Sequence, residues 1–381
     1  MTPLYELAIL GAPSASQAGE LRAQLEELVG PFSLTLGKEI AWSVAPETFN
    51  PSQRHASAAV FVGAPSVSDD GLEALLRSAV PVIPVASQNE RFAAEIPTIL
   101  RPLNGLSYAT HGTRRIATAL LECAGLLPRQ RRVFVSYRRD ESRNAALQLF
   151  DAFSSRLFDV FLDTHGIPPA EDFQALLWHR LCDSDVLVMI DTPRYFESRW
   201  ATAEFGRAQA KNIPILRVAW PGCPTSPRAV TAGKIELAAS DVDETTGRIG
   251  ESVISRICYE LEALRSESVA VRHLNLVSGL QLALGRIGGR VDGVGVHKGI
   301  HVQLPNGTRL VVYPAIGNPT SVTLHEAAEQ SRESESAVLY DHVGLHAKHL
   351  GHLDWLSGYI SKVRLIKACE AAWQFAGWDA R

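Results

Sequence analysis

The 381-residue sequence predicts an α/β protein: two tandem parallel-sheet domains followed by a smaller α/β domain with a β-hairpin. Three observations carry that reading. Short apolar runs alternate with helix-patterned stretches from residue 7 to about 264, and strands separated by helices pair in parallel with helices on both faces. Two of the runs recur: Ala59-Val-Phe-Val-Gly-Ala-Pro65 matches Leu187-Val-Met-Ile-Asp-Thr-Pro193, and Val80-Pro-Val-Ile-Pro-Val85 matches Ile213-Pro-Ile-Leu-Arg-Val218. Beyond Ser266 the texture becomes glycine-dense, and two strand-like runs flank Pro305-Asn306-Gly307, a strong hairpin signal.

In the first segment (1–128), Leu7-Ala-Ile-Leu10 reads as a buried strand ending at Gly11, and Leu21, Leu25 and Leu28 share one helical face. Residues 58–62 and 82–85 are further strands, with Leu72, Leu75 and Leu76 on a helix between them. A helix over 113–126 turns Ile116, Leu120 and Cys123 inward, and Leu127-Pro-Arg-Gln-Arg-Arg132 reads as a polar, proline-broken linker. The second segment (129–266) repeats the plan, with strands at 133–135, 160–162, 186–190 and 213–216. Helices lie over 145–158, 173–181 and 201–211, and a long one runs from about 246 to 264 after a Pro/Gly-rich loop. Register between the two segments places Gly71 opposite Glu204. Duplication and convergence of two α/β units both account for the likeness. The third segment (267–381) carries helices at 274–284, 324–332, 353–360 and 366–375, and strands at 300–304, 308–313 and 337–340.

Composition narrows the function. With 37 basic against 41 acidic residues the net charge is −4, and basic residues form no extended stripe with interleaved aromatics, so nucleic-acid binding is disfavoured. No apolar run approaches the roughly 20 residues of a membrane span. The opening residues, Met1 to Glu6, lack the basic segment and apolar core of a leader. Five scattered cysteines fit reduced thiols, so a cytoplasmic location is expected. Gly11-Ala-Pro13 lacks the Gly-Lys-Ser/Thr of a phosphate loop and reads as a turn. The glycines at 285–299 do not spell a dinucleotide fingerprint. His342, His346 and His349 fall at i, i+4, i+7 with His352 and Asp354 behind them. No His-Glu-x-x-His appears, and Gly344 and Gly351 weaken a helix, so they read as surface or ligand-contact histidines and no metal site is expected. Asp341-His342 follows a strand, where ligand contacts gather.

The chemistry concentrates in the second segment. Val133-Phe-Val-Ser-Tyr-Arg-Arg-Asp140 is a buried strand emptying into a polar, arginine-bearing loop. Phe161-Leu-Asp-Thr-His-Gly-Ile167, running on to Phe173, is a second strand and loop, and Ser198-Arg-Trp-Ala-Thr-Ala-Glu204 is a third element. These three boxes, in this order over roughly 90 residues, resemble a TIR domain, and the third resembles the Ser-x-Trp-x-x-x-Glu segment of its NAD-cleaving members. Independently of the resemblance, the first and third boxes leave strands at their carboxyl ends, the edge where parallel sheets bind ligands.

The resemblance implies a flavodoxin-like sheet in 129–266, and the repeated pattern extends that expectation to the first domain. It implies that Glu204 is the catalytic carboxylate of a bacterial NADase acting on NAD+ as substrate, with no separate cofactor. Ser136, Tyr137, Arg138, Arg139 and Trp200 are the candidate NAD+ contacts. Arginine forks suit the pyrophosphate, and an indole suits a flat ring. Each has an ordinary structural alternative: a helix-dipole role for Glu204, solvated charge for the arginines, packing for Trp200. His165, Gly166 and Phe173 read as architecture of a loop that docks on a neighbouring TIR domain. The resemblance further implies activity only in a homo-oligomer, a nucleotide or phage-derived trigger sensed by the flanking domains, and a role in antiviral defence. The first domain lacks these boxes and is expected to be catalytically silent. The alternatives are a non-enzymatic TIR adaptor and a nucleotide sensor.

Overall fold

Aliphatic runs buried on both faces make the strands of two similarly wound parallel sheets. The first sheet comprises β1 (Tyr5–Gly11), β2 (Ile40–Val44), β3 (Ala56–Val62), β4 (Val82–Ala86) and β5 (Leu106–Ser107), in the order β2-β1-β3-β4-β5. Its helices are α1 (Ala15–Val29), α2 (Leu72–Arg77), α3 (Phe92–Glu95) and α4 (Tyr108–Cys123). Ser14 and Gln17 close a capping box at the start of α1, which supplies partners to backbone N–H groups that the helix cannot satisfy. This computed structural model describes residues 2–64, 71–162, 171–331 and 334–380. His165 and Gly166 lie outside the described residues, as does Arg332.

The second sheet comprises β6 (Arg132–Ser136), β7 (Asp159–Leu162), β8 (Val186–Asp191), β9 (Ile215–Ala219) and β10 (Gly233–Glu236), in the order β10-β9-β8-β6-β7. Its helices are α5 (Arg139–Ser154), α6 (Glu171–Cys182), α7 (Arg199–Ala210) and the first part of α8 (Glu251–Ile287). Ala145, Leu149 and Phe153 of α5 join Ile254, Ile257 and Leu261 of α8 in the core on one face. Leu177 and Leu181 of α6 join Phe205 and Ala208 of α7 on the other. Both sheets are parallel throughout and share one winding order, the flavodoxin-like one.

The likeness reaches single hydrogen bonds. Ala59 pairs with Val82 in one sheet as Leu187 pairs with Ile215 in the other. Ala79 and Asn212, three residues before the equivalent strand positions, both adopt left-handed backbone (φ 58° and 53°). The Val80 N–H then donates to the Leu75 carbonyl at 3.1 Å, and the Ile213 N–H to the Ala208 carbonyl at 2.9 Å. This register sets Gly71 opposite Glu204, as the sequence patterns do.

A third sheet comprises β11 (Arg290–Val294), β12 (Ile300–Gln303), β13 (Arg309–Ala315), β14 (Ser336–Tyr340) and β15 (Val363–Lys367), in sequential order. The first two pairings are antiparallel and the last two parallel, and Pro305-Asn-Gly307 turns the expected hairpin. The helices α9 (Ser321–Ser331), α10 (Ala347–Tyr359) and α11 (Ala371–Ala376) accompany it. Val277, Leu280 and Leu284 of α8 pack into its core with Phe375 and Trp378.

The three sheets fall into two compact units. The first and third sheets share one, formed by residues up to Leu127, Val269–His342 and 348 onward; Pro128–Ser268 and Val343–Ala347 form the other.

Three local expectations are corrected. The stretch 127–132 is no solvated linker: Arg131 is fully buried, its guanidinium donates to both Glu262 oxygens at 2.9 and 2.8 Å, and it lies over the Phe158 ring. The expected helices at 246–264 and 274–284 are one continuous α8. Between the two expected helices Arg265 and Ser266 have no exposure, and Arg265 bonds Asp185 at 3.1 Å, so the helix continues through them. The segment 366–375 is not helical at its start, because Val363 and Ile366 are buried in β15 beside β14, and the helix begins at Ala371.

Candidate functional site

At the carboxyl edge of the second sheet, β6 ends at Ser136 and β8 ends at Asp191. Side chains alternate across a strand, so successive residues at the end of β6 go opposite ways. Ser136 turns toward the side of α7; Tyr137 packs against the core shared with α5 and α8. A short turn over Tyr195–Glu197 follows β8, and α7 starts behind it with Ser198 capping: its hydroxyl accepts from the Ala201 N–H at 3.3 Å.

Glu204 is the sixth residue of α7, a turn beyond the first-turn positions where helix-end charge favours an acid. The helix dipole therefore does not account for it. Glu204 is 5% exposed, and the Ser136 hydroxyl donates to its Oε2 at 2.5 Å. The Tyr195 hydroxyl lies 2.7 Å from Ser136 Oγ. A serine has one hydroxyl hydrogen and an ionised carboxylate only accepts, so with that hydrogen on Glu204, Tyr195 is the donor. Burial, with the Glu204 charge next in weight, pushes the Tyr195 phenol well above its ordinary range and keeps the donor protonated. Tyr195 to Ser136 to Glu204 is thus one directed hydrogen-bonded chain. Tyr195 lies in none of the three boxes, and nothing in the local sequence marks it.

An outer layer of charge sits over this chain. Arg138 donates from Nη1 to the Arg194 carbonyl at 2.7 Å and to Glu197 at 3.4 Å. Arg194 donates from Nε to Glu141 at 2.9 Å. Burial works against ionisation of Glu141, but its hydrogen bonds and the Arg194 charge hold its carboxyl below the ordinary range. Beneath the adjacent loop, Arg217 is buried and bonds Asp191 at 2.5 Å while donating to Thr225 Oγ1 and the Cys223 and Pro224 carbonyls. One guanidinium thereby ties the Pro/Gly-rich loop to the end of β8. Desolvation raises the Asp191 carboxyl above its ordinary range, with Arg217 opposing.

Of the residues singled out from sequence, Ser136 and Glu204 meet directly. Arg138 belongs to the outer layer and engages Glu197 rather than Glu204. Arg139 is the first residue of α5, half-buried, and Tyr137 packs on the opposite face of the sheet. Trp200, one helical turn before Glu204, is 42% exposed with the Arg199 guanidinium 4.8 Å from its ring centre, so it is not a core residue. Phe173 falls within α6.

Elsewhere, His349 lies 2.9 Å from the Pro319 carbonyl through Nε2, and His352 stacks on Trp355. Among the described residues no three His, Cys, Asp or Glu side chains converge as a metal cage. No helix among them is long and apolar enough to cross a membrane.

Compared with known families, residues 133–248 match the TIR domain. The match covers the second sheet and its site, less than a third of the chain. No curated protein matches the chain.

Proposed function

The second sheet being that of a TIR domain, we propose that this protein is an NAD+ glycohydrolase with Glu204 as its catalytic carboxylate. The observation that carries the reading is a buried carboxylate at the strand-end edge, oriented by a hydroxyl chain and set beyond the first turn of its helix. In the reaction the C–N bond between nicotinamide and ribose breaks, and nicotinamide leaves as a neutral ring with the bonding pair. The ribosyl carbon becomes cationic, and a carboxylate beside the ribose hydroxyls stabilises that charge in a low-dielectric site. Water supplies the new oxygen and releases one proton, giving ADP-ribose; capture by a nucleophile of the ADP-ribosyl group itself gives a cyclic isomer instead.

Glu204 is nearly closed to solvent, so a ribose reaches it only after the edge around it rearranges. That requirement fits a resting chain that becomes active on self-association, with TIR–TIR contacts as the trigger-dependent step. A role in antiviral defence follows from the same reading by family analogy.

A second reading has its own observation. Arg138 Nη1 is already engaged within the chain, by the Arg194 carbonyl and by Glu197, with no ligand bound. This favours a non-enzymatic adaptor. Nicotinamide release from millimolar NAD+, followed by chromatography against protein concentration and paired with sedimentation, separates the two. The enzyme reading expects turnover per chain to rise as assemblies form. Absence of release from sedimenting assemblies supports the adaptor, and full turnover by a strict monomer refutes activation by association.

A further inference from the structure

The crossovers that follow the second strand of each parallel sheet are built differently. In the second sheet the crossover from β7 to β8 carries α6, whose Leu177 and Leu181 pack beside Phe205 and Ala208 of α7. In the first sheet the crossover from β2 to β3 is residues 45–55, which form turns and bends without a helix. Pro46 and Pro51 account for this: each removes a backbone donor and opposes helical backbone in the residue before it. The space beside α2 that a helix would occupy is a cavity of about 810 Å³.

Its position and lining are those of a ligand site. It opens where the chain turns after β1 and after β2, at the point where the strand order reverses between β1 and β3. Leu10, Phe61, Leu72 and Leu75 form an apolar floor, and the half-buried Phe49 ring is a wall. The turn at Gly11 accepts only glycine, with φ 79° and a would-be Cβ 2.2 Å from the Val62 carbonyl oxygen, so the backbone itself lines this edge. Asn50 and Gln53 bring side-chain amides to the rim, able to pair with the polar edge of a ring. Among the described lining residues none is cationic and Glu47 is the one acid, a set that disfavours a phosphorylated ligand.

We infer that the first sheet carries a second small-molecule site, in the space of the missing crossover helix, for an uncharged planar heteroaromatic bearing hydrogen-bonding edge groups. Nucleosides and nicotinamide share that chemistry. The inference stands whether or not Glu204 is catalytic, because no residue of that site lines the cavity.

The test titrates the full-length chain with adenosine, with nicotinamide and with AMP, reading binding by calorimetry and the site by cavity variants. At least one neutral probe binds at micromolar to submillimolar Kd, AMP binds at least tenfold more weakly than adenosine where adenosine is the binder, and Leu75→Trp abolishes the heat. Leu75→Trp fills the floor and can perturb folding, so Asn50→Ala at the exposed rim accompanies it, with a fivefold or greater weakening expected and an unchanged far-ultraviolet spectrum. The inference is overturned if neither neutral probe binds, if AMP binds as tightly as adenosine, or if both variants bind as the parent does.

Discussion

The first and second sheets are nearly the same backbone put to different ends. Strand order, ladder register, the left-handed residues Ala79 and Asn212 and the turn hydrogen bonds beside them coincide. What differs is the side chains at the carboxyl edge. Ser136 has Leu10 as its counterpart, Glu204 has Gly71, and the ion-paired Asp191 and Arg217 have Gly63 and Pro84. The first sheet also replaces a crossover helix with a proline-bounded loop. One winding therefore supports a polar, hydrogen-bonded site in one case and an apolar hollow in the other. The backbone supplies the edge, and a handful of residues decide what the edge does.

The largest effect should come from breaking a feature that only the second sheet has. Arg217→Met leaves Asp191 buried without its cation, and about 3–5 kcal/mol of stability should be lost, measured by denaturant unfolding of the second unit. A loss below about 1 kcal/mol would mean that the loop over 220–227 holds without this ion pair. Next in size, Ser136→Ala removes the donor to Glu204 and should lower NAD+ cleavage about 10- to 100-fold, the worth of a hydrogen bond to a charged group. Tyr195→Phe should cost less, since it acts on Glu204 only through Ser136.

A graded effect of comparable total size belongs to the unit built on the first and third sheets. Burial, then the Lys298 charge, lowers the His273 pKa to about 3, and burial lowers that of His301 to about 4 against an opposing Asp292. Both folded-state values lie below the ordinary 6.5, so the unfolded chain takes up these protons first. Stability from them is complete above about pH 6.5 and falls by about 1.4 kcal/mol per pH unit for each histidine between there and the folded values. Unfolding midpoints measured from pH 7 to pH 4.5 check this, and His273→Gln should flatten the slope. The smallest effect is expected from Gly71→Glu. An acid at the position equivalent to Glu204 has no Ser136 counterpart to orient it, because Leu10 stands there, and NAD+ cleavage should not change.

What the sequence displayed, and what it hid, follows position in the sheets. The central strands β1, β3, β4, β6, β8, β9, β12, β13 and β14 all appear as apolar runs, since each is flanked by strands on both sides and buried. Those that escaped notice, β2, β5, β10, β11 and β15, are all edge strands. Edges are short or polar, as in Leu106-Ser107 and Gly233-Lys-Ile-Glu236, and periodicity has little to register there. Glu204 and Ser136 were legible because their spacing belongs to a motif. Tyr195 was not, and neither were the buried pairs of Arg131 with Glu262 and Arg217 with Asp191. Partners 131 and 26 residues apart leave no local trace, and an arginine in a strand or linker reads as solvated until the fold supplies its acid.

The most direct test compares nicotinamide release by the parent protein and by Glu204→Gln, at matched protein concentration, with assembly and secondary structure verified for both. The proposed function predicts at least a thousandfold slower release from the variant, about 4 kcal/mol of transition-state stabilisation, with folding and assembly intact. Equal rates in the two proteins would contradict it and leave the TIR domain of this chain an assembly module whose buried acid serves packing alone.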